Sequence, residues 1–365
     1  MTDLTTADVV TEVHGRLACI TLNRPKALNA LSLGMVRSLT QALQQWQADP
    51  DILAVVVRGQ GKEGPFGAFC AGGDIRFFHQ AAWAGDAALG DFFTEEYALN
   101  YLIHTYSKPY IAFMDGIVMG GGMGISQGAS LRVVTERTKM AMPETNIGLF
   151  PDVGGGYFLS RCPGHIGEYL GLTGHMMGAA QALSAHLADG FIESGRLANI
   201  WQKLISTPFE TGQAVEHWVR SQFGRLDAPA FPARAQVDAV FSKSTVSEII
   251  QSLGNASDVW SQETAKALRQ RSPLMLHVVL EQIRLARRMG LADDLRMERN
   301  LVHHCFHLRA TSASETVEGI RALAVDKDHA PRWQPARIED VDLAEVAAFF
   351  VSPWPSDAHP LAKLS

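Results

Sequence analysis

The order of apolar and polar positions predicts that the chain begins as an α/β domain. Two apolar-rich runs, Val9–Val13 and Arg16–Leu22, flank His14-Gly15 and are typical of a β-hairpin. Ser32 then stands where a helix N-cap is expected. Five large apolar residues follow at the spacing of one helical face: Met35, Val36, Leu39, Leu43 and Trp46. The short run Leu53–Val57 predicts a buried strand, which completes a β-β-α-β order.

The α/β pattern continues to about residue 205. Helical patterns begin near Ile75 and cover Phe92–Thr105. Two further apolar runs, Pro109–Asp115 and Leu131–Thr135, predict buried strands. Alternating strands and helices of this kind favour a mainly parallel sheet.

Helical periodicity dominates the rest of the chain, where glycines become rare. Ser272 and Pro273 predict the cap and first turn of a helix, and Gly290 is expected to end it. We therefore predict an α/β core at residues 1–205 and a helical C-terminal domain or extension at residues 206–365.

Composition narrows the class of protein. Hydrophobic residues make up 47% of the chain and charged residues 19%, which excludes a disordered, collagenous or disulfide-stapled chain. The net charge of −6 argues against a general nucleic-acid binder. The four cysteines form no CxxC motif, so zinc and dithiol redox sites are not expected, and their scatter favours a reducing compartment.

No targeting or membrane segment is expected from the sequence. Met1–Val10 has neither the apolar core of a signal peptide nor the arginines of a transit peptide. The longest apolar stretch, Tyr110–Ile125, contains Asp115 and several glycines and is too short to span a bilayer. We expect a cytoplasmic protein.

Two glycine turns are the strongest candidates for chemistry. Ala71-Gly72-Gly73-Asp74 and Gly120-Gly121-Gly122 each connect a predicted strand to a predicted helix. Such turns leave backbone N–H groups without helical partners, and two of them directed at one point would make an oxyanion hole. Ordinary glycine turns and a phosphate site remain alternatives, although the Gly-Lys-Ser/Thr of a P-loop is absent.

Two acidic residues lie in loops that follow predicted strands. Glu144 and Asp152 each follow a proline and could act as a general base or as a nucleophile toward an acyl group. A solvated glutamate and a turn-forming aspartate are the simpler alternative. The pair Glu95-Glu96 is interpreted as part of a solvated helix face.

A histidine cluster bears on metal chemistry. His303, His304 and His307 share a predicted helix, but the HExxH glutamate is lacking, so no metal site is expected.

Four blocks of sequence together resemble the crotonase (enoyl-CoA hydratase/isomerase) superfamily. They occur in the order and spacing of that superfamily: Ile20–Ser32, Phe69–Ile75, Lys108–Gly124 and Met142–Arg161. The resemblance implies an α/β fold, a crotonase-like spiral of ββα repeats with a mostly helical C-terminal region. It also implies an acyl-CoA substrate.

Two further segments resemble the 3-hydroxyisobutyryl-CoA hydrolase branch of this superfamily. They are Phe93–Leu99 (FTEEYAL) and Val325–Pro335 (VDKDHAPRWQP), and the long C-terminal extension of that branch agrees with the 365 residues. The resemblance implies hydrolysis of a short 3-hydroxyacyl-CoA, above all 3-hydroxyisobutyryl-CoA of valine breakdown. It implies no metal or redox cofactor, since CoA is part of the substrate.

The resemblance also assigns residues. The backbone N–H groups of Gly73 and Gly121 match the oxyanion hole, and Glu144 matches the retained catalytic carboxylate. Asp152 matches the aspartate of the branch, and Glu96 matches a glutamate near the short acyl group.

The resemblance places substrate contacts near the N-terminus as well. Lys26, Ala27 and Leu28 match the segment that lines the adenine and pantetheine of CoA. Members of the superfamily commonly form trimers or pairs of trimers, and the extension could replace those contacts. A homo-oligomer is therefore left open, and nucleic acid and membrane are not expected as partners.

One departure separates the branches. Hydratases of the superfamily carry a second glutamate where this chain has Gly124, and usually a glycine where it has Asp152. A single Glu144–Asp152 pair favours attack on a thioester over hydration. The alternatives are an enoyl-CoA hydratase or isomerase, and an acyl-CoA-binding protein without catalysis.

Overall fold

The computed structural model describes residues 7–227, residue 231 and residues 234–365. The strands of these residues are β1 (Val9–His14), β2 (Leu17–Leu22), β3 (Ala54–Gly61), β4 (Gly64–Pro65), β5 (Tyr110–Met114), β6 (Ile117–Met119), β7 (Leu131–Val134), β8 (Lys139–Ala141) and β9 (Gly190–Phe191).

The helices in the first 230 residues are α1 (Leu33–Ala48), α2 (Ile75–Ala84), α3 (Ala88–His104), α4 (Gly121–Gln127), α5 (Gly155–Ser160), α6 (Ile166–Thr173), α7 (Ala179–Ser184), α8 (Ser194–Ser206) and α9 (Gly212–Arg220). Those that follow are α10 (Arg234–Phe241), α11 (Val246–Gly254), α12 (Val259–Arg269), α13 (Pro273–Ala286), α14 (Leu291–His307), α15 (Glu315–Ile320) and α16 (Leu343–Phe349). A π-helical turn, Arg321–Val325, follows α15. None of the helices within the described residues is long and apolar enough to cross a membrane.

The main sheet has the strand order β1-β2-β3-β5-β7-β9, with β4 paired to β3 and a separate β6-β8 pair. Strands β1 and β2 form the predicted antiparallel hairpin, and every later pair along the main order is parallel. All residues of β2 and β5 are buried, as expected of parallel strands covered on both faces. The predicted parallel sheet is confirmed.

The chain forms two compact units that alternate along the sequence. The first comprises Met1–Gly73, Leu99–Met140 and Met176–Ala230, so far as these are described, and contains the main sheet. Its core lies where one sheet face packs against α8 and α9: Leu17, Cys19, Ala54, Val56, Phe66, Ile111, Phe113, Leu131, Val133, Ile192, Leu197, Ile200, Trp201, Leu204, Val215 and Val219.

The second unit comprises Asp74–Ala98, Ala141–His175 and the described part of Phe231–Ser365. It is predominantly helical, and most residues of α13 are buried. The two units interleave along the chain, whereas the division at residues 205 and 206 assumes one continuous core; that division stays a prediction.

Most predicted elements are confirmed, but α3 begins at Ala88 rather than Phe92, and β3 ends at Gly61 rather than Val57. The Ser32 hydroxyl accepts a 3.2 Å hydrogen bond from the Met35 N–H, so the predicted cap of α1 is correct. Gly290 does not end α13, which stops at Ala286. A glycine that ends a helix adopts a left-handed backbone, but Gly290 has a φ of −72° and precedes α14 as its N-cap.

Candidate active site

The two glycine turns lie side by side in the first unit. The Leu31 N–H donates a 2.8 Å hydrogen bond to the Gly72 carbonyl, and the Met119 N–H donates a 3.0 Å bond to the Cys70 carbonyl. Gly72 has a φ of +103°, and a Cβ added to it would lie 3.6 Å from the Gly121 nitrogen. Only glycine adopts this backbone readily at so close an approach.

Each turn presents a free backbone donor. Within the described part of the chain, neither the Gly73 N–H nor the Gly121 N–H donates a hydrogen bond. Gly121 is the first residue of α4, where helical N–H groups have no partner within the helix. Two such donors in adjacent turns are the chemical requirement for binding a developing oxyanion.

The predicted CoA-binding segment is attached to the first turn. Pro25–Ala27 forms a short 3₁₀ turn, and Leu28 follows with a left-handed φ of 51°. The Leu28 carbonyl accepts a 3.0 Å hydrogen bond from the Ala71 N–H. Lys26 is exposed, whereas Ala27 and Leu28 are half-buried, so this unit brings the segment and Gly73 together.

Asn29 secures this arrangement, although sequence reasoning missed it. Its buried side-chain amide donates to the carbonyl groups of Gln60, Ala68 and Phe69 at 3.0 to 3.1 Å. Its Oδ1 accepts a 2.8 Å bond from the Arg24 N–H. The side chain therefore connects the predicted CoA segment to the strand and loop behind it.

The predicted acidic residues meet in the second unit, and all are buried. Glu96 on α3 is 2% exposed, Glu144 at the start of a 3₁₀ turn is 6% exposed, and Asp152 before α5 is 5% exposed. The solvated-face interpretation is wrong for Glu96, and the solvated or turn-forming alternative is wrong for Glu144 and Asp152. Glu96 lies on a helix whose buried residues extend beyond a single apolar stripe, so helical periodicity could not reveal its burial.

A tyrosine that sequence reasoning missed organises this cluster. The Tyr97 hydroxyl donates a 2.8 Å hydrogen bond to Oδ2 of Asp152. Tyr97 is fully buried and follows Glu96 directly on α3. By contrast, Oε1 of Glu96 and Oε2 of Glu144 are buried and have no hydrogen-bond partner among the described residues. Two carboxyl oxygens are thus available to a substrate.

Burial raises the pKa of all three carboxyl groups. The pKa of Asp152 rises to about 6, although the Tyr97 hydrogen bond works in the opposite direction. The pKa of Glu144 and that of Glu96 rise well above the ordinary value, first through burial and then through the nearby charge of Asp152. Closely spaced carboxyl groups in a low dielectric oppose one another's ionisation.

Three polar side chains beyond residue 280 contact the Asp152 loop and were also missed. Gln282, Asp294 and Glu298 are fully buried and hydrogen-bond the backbone of residues 151–157. The only sequence signal is that Asp294 and Glu298 lie four residues apart on the apolar face of α14.

The histidines of α14 pack against one another and against an aromatic ring. The rings of His303 and His307 are 4.4 Å apart, and Trp354 lies 4.8 Å from His303. Burial lowers the pKa of His303 to about 4. No group of three or more metal-binding side chains occurs in the described chain.

The chain is similar to proteins of known family along most of its length. The Enoyl-CoA hydratase/isomerase family model matches residues 17–350. The chain is 38% identical to the "3-hydroxyisobutyryl-CoA hydrolase, mitochondrial" of Gallus gallus, over 92% of this chain and 86% of that protein. It is 40% identical to the "3-hydroxyisobutyryl-CoA hydrolase 1" of Arabidopsis thaliana, over 94% of this chain and 91% of that protein.

Two solved structures share the fold and carry other activity names. A carnitinyl-CoA dehydratase from Mycobacterium thermoresistibile has a TM-score of 0.87 and 36% identity, covering 98% of this chain and 99% of its own. An enoyl-CoA hydratase from Rhodobacter sphaeroides has a TM-score of 0.84 and 36% identity, covering 95% and 98%. The expected fold is thereby confirmed.

Proposed function

Because the chain belongs to the enoyl-CoA hydratase/isomerase family, we propose that it is a thioester hydrolase acting on 3-hydroxyisobutyryl-CoA. Relatives with that activity name match most of the chain at 37–40% identity. The observation that carries the proposal is the buried pair of Glu144 and Asp152, with Gly124 at the position of a second hydratase glutamate. One such pair supports addition to a carbonyl carbon.

The free N–H groups of Gly73 and Gly121 would bind the thioester oxygen. As the carbonyl carbon becomes tetrahedral, negative charge develops on that oxygen, and each donor is worth about 2.7–4 kcal/mol of transition-state stabilisation. The tetrahedral intermediate then collapses with cleavage of the C–S bond, and the CoA thiolate leaves.

Glu144 supplies the second part of the reaction. It either attacks the carbonyl carbon, so that a mixed anhydride forms and water later hydrolyses it, or it takes a proton from an attacking water. Its unbonded Oε2 supports both roles. Asp152 and Glu96 would bind the 3-hydroxyl group, because a carboxyl group accepts a hydrogen bond when ionised and can also donate one when protonated.

Thiol release tests the reaction directly. We expect wild-type protein to release CoA from 3-hydroxyisobutyryl-CoA and Glu144→Gln to lose that activity. Glu281→Gln, which makes the same change at an exposed site on α13, should release CoA at the wild-type rate. Equal release by Glu144→Gln and wild type would refute the assignment of Glu144.

Oxygen-18 in a single turnover separates the two roles of Glu144. Label from water that enters the Glu144 carboxylate establishes Glu144 as the nucleophile, because only attack of water on the glutamyl carbonyl carbon of an anhydride places it there. If it is the general base, label appears only in the product acid. Mass spectrometry of the peptide that contains Glu144 reads the difference.

A hydratase or isomerase is the second candidate, and the names of the two solved relatives support it. Consumption of crotonyl-CoA without thiol release would establish this candidate. An acyl-CoA-binding protein is the third; it would bind substrate equally well with Glu144→Gln and turn over neither compound.

The reaction as proposed needs no metal or redox group, because backbone dipoles stabilise the charge. The rate of thiol release should therefore be unchanged by a strong chelator. Loss of thiol release while the protein stays folded would show that the reaction needs a metal. The preference for one acyl group over another depends on a small energy difference, because one methyl group discriminates by only about 1–3 kcal/mol. Competition between 3-hydroxyisobutyryl-CoA and 3-hydroxypropionyl-CoA measures that preference.

The cellular location and the oligomeric state of the protein can each be tested by experiment. We keep the cytoplasmic location as a prediction, although relatives from animals are named as mitochondrial proteins. Cell fractionation with an antibody to the native chain tests it. A homo-oligomer remains open to measurement by analytical ultracentrifugation.

A further inference from the structure

The backbone of the Asp152 loop is held by carboxylates from a distant helix. Oε2 of Glu298 accepts a 2.7 Å hydrogen bond from the Gly154 N–H, and Oε1 accepts a 2.9 Å bond from the Gly156 N–H. Asp294, one turn earlier on α14, accepts a 2.9 Å bond from the Tyr157 N–H. One helix thus binds three of the N–H groups that follow Asp152.

An amide on the preceding helix holds the other side of the loop. Nε2 of Gln282 donates a 2.7 Å hydrogen bond to the Pro151 carbonyl and a 3.2 Å bond to Oε1 of Glu298. Both side chains are fully buried. Glu298 is therefore the central member of this group, because it contacts the loop twice and Gln282 once.

The conformation that these contacts hold is costly. Val153, the residue after Asp152, has a φ of 56°, and Gly154 has a φ of 85°. A β-branched residue in the left-handed region is strained and persists only where its surroundings hold it. Contacts on both sides of Val153 therefore determine where the Asp152 side chain points.

The close fit between the Asp152 loop and α14 also indicates that α14 holds the loop in place. A Cβ added to Gly156 would lie 2.4 Å from Oδ1 of Asp294, so the backbone at Gly156 lies directly against the Asp294 side chain. Burying two carboxyl groups is unfavourable unless hydrogen bonds compensate. An apolar pair could fill the same volume but would leave three N–H groups of the loop without acceptors, which explains why acidic residues stand here.

We propose that Glu298 is a positioning residue for thioester hydrolysis, which acts through Gly154 and Gly156 to place Asp152 against the Tyr97 hydroxyl. This inference rests on the proposed function. Glu298 touches neither substrate nor reacting atoms in this role. Its contribution to the rate passes through the position of Asp152.

A double-mutant cycle tests the proposal. Glu298→Gln preserves size but replaces one carboxyl oxygen with an NH₂ group, so one loop N–H loses its acceptor. We expect kcat to fall by about tenfold or more, with KM changed less than about twofold, because small displacements of positioned groups have large effects on rate. Combined with Tyr97→Phe, the loss should be no larger than the greater single loss, because both changes displace the same carboxylate.

Glu168→Gln is the matched control. Glu168 is also fully buried in the same unit, but its carboxylate pairs with Arg287 and His165 and, among the described residues, accepts no hydrogen bond from residues 151–157. It should lower stability without altering kcat or its coupling to Tyr97→Phe. If Glu298→Gln behaves like Glu168→Gln, or if the double variant loses the product of both single losses, the proposal is wrong.

Two further measurements keep the result interpretable. If Glu298→Gln fails to fold, Gln282→Met removes the bonds to Pro151 and Glu298 at similar volume and should show the same coupling to Tyr97→Phe. Amide exchange needs no activity: Gly154 and Gly156 should exchange faster in Glu298→Gln, and unchanged exchange would refute the proposal. Absence of thiol release in wild-type protein would instead refute the proposed function.

Discussion

The hydroxyl of Tyr97 donates a 2.8 Å hydrogen bond to Oδ2 of Asp152, across 55 residues of sequence. Burial raises the pKa of Asp152 to about 6 even with this bond, which works in the opposite direction. A donor to the ionised form favours that form, so the phenol keeps Asp152 ionised to a lower pH than burial alone would allow.

Removing this phenol should shift the pH dependence of the reaction. In Tyr97→Phe the pKa of Asp152 rises, because the ionised carboxylate loses its donor while burial remains. We expect the acid limb of kcat to move to higher pH by about one unit. Tyr106→Phe, which removes a hydroxyl bonded to the Leu43 carbonyl, should leave the limb in place. The pH dependence of kcat for thiol release measures this shift. An acid limb at the same pH in Tyr97→Phe and wild type would contradict the inference that the bond stabilises ionised Asp152.

Glu96→Gln should stabilise the protein more as the pH rises. Burial raises the pKa of Glu96 well above its ordinary value, so ionisation of Glu96 opposes folding. The wild-type protein has its full stability below the pKa that Glu96 has in the unfolded chain. It loses stability as the pH rises from that pKa toward the higher pKa of Glu96 in the folded protein, by about 1.4 kcal/mol for each unit between the two pKa values. Glutamine does not ionise and avoids that loss.

Urea unfolding of Glu96→Gln and wild type at acidic and at mildly alkaline pH measures the effect. The same substitution at exposed Glu281 should give a difference that does not depend on pH. Because the proposed function uses Glu96 near the acyl group, the stabilised variant should also lose activity. A stability difference independent of pH would show that Glu96 is not desolvated in solution.

Gly156→Ala should destabilise the protein although alanine is the better helix former. The added Cβ would approach Oδ1 of Asp294 to 2.4 Å, a distance that requires the loop or α14 to move. We expect a loss of about 1–3 kcal/mol in the free energy of unfolding. Gly195→Ala on α8 meets no atom within 4 Å and should be neutral or stabilising by up to about 1 kcal/mol. Chemical denaturation of both variants compares them directly.

Asn29→Asp should weaken both the fold and the affinity for CoA thioesters. The side-chain NH₂ donates to three carbonyl groups, and an aspartate of the same shape would place negative charge against them. We expect a loss of about 3 kcal/mol or more, because one oxygen would keep the Arg24 N–H as its donor while the other would face three carbonyl oxygens without a donor.

A measurement of KM separates weaker binding of the CoA thioester in Asn29→Asp from a loss of stability alone. KM for the acyl-CoA should rise in Asn29→Asp, because the side chain holds the turn that carries the predicted CoA segment. Asn23→Asp, at an exposed amide bonded to the Ala7 carbonyl, is the control and should change neither quantity much. Unchanged stability in Asn29→Asp would mean that the three bonds do not persist in solution.

Local patterns made much of the fold predictable. The hairpin of β1 and β2 and the Ser32 cap depend on residues only a few positions apart, so apolar periodicity and capping chemistry were sufficient. Gly290 was misjudged for the opposite reason. A glycine after an apolar helix predicts a left-handed end, but the backbone there is set by the start of α14.

For the candidate site, the sequence and the tertiary structure determined different properties. Sequence by itself determined the residue types that the proposed chemistry needs: the two glycine turns, Glu144, Asp152, and the four blocks that place the chain in its family. The tertiary structure alone decided that Glu96 is buried, that Tyr97 bonds Asp152, and that Glu298 holds the loop. Burial, pKa and hydrogen-bond partners arise from contacts between residues that are 50 to 150 positions apart, roughly a domain's length of chain, and no local pattern of apolar and polar residues encodes such contacts.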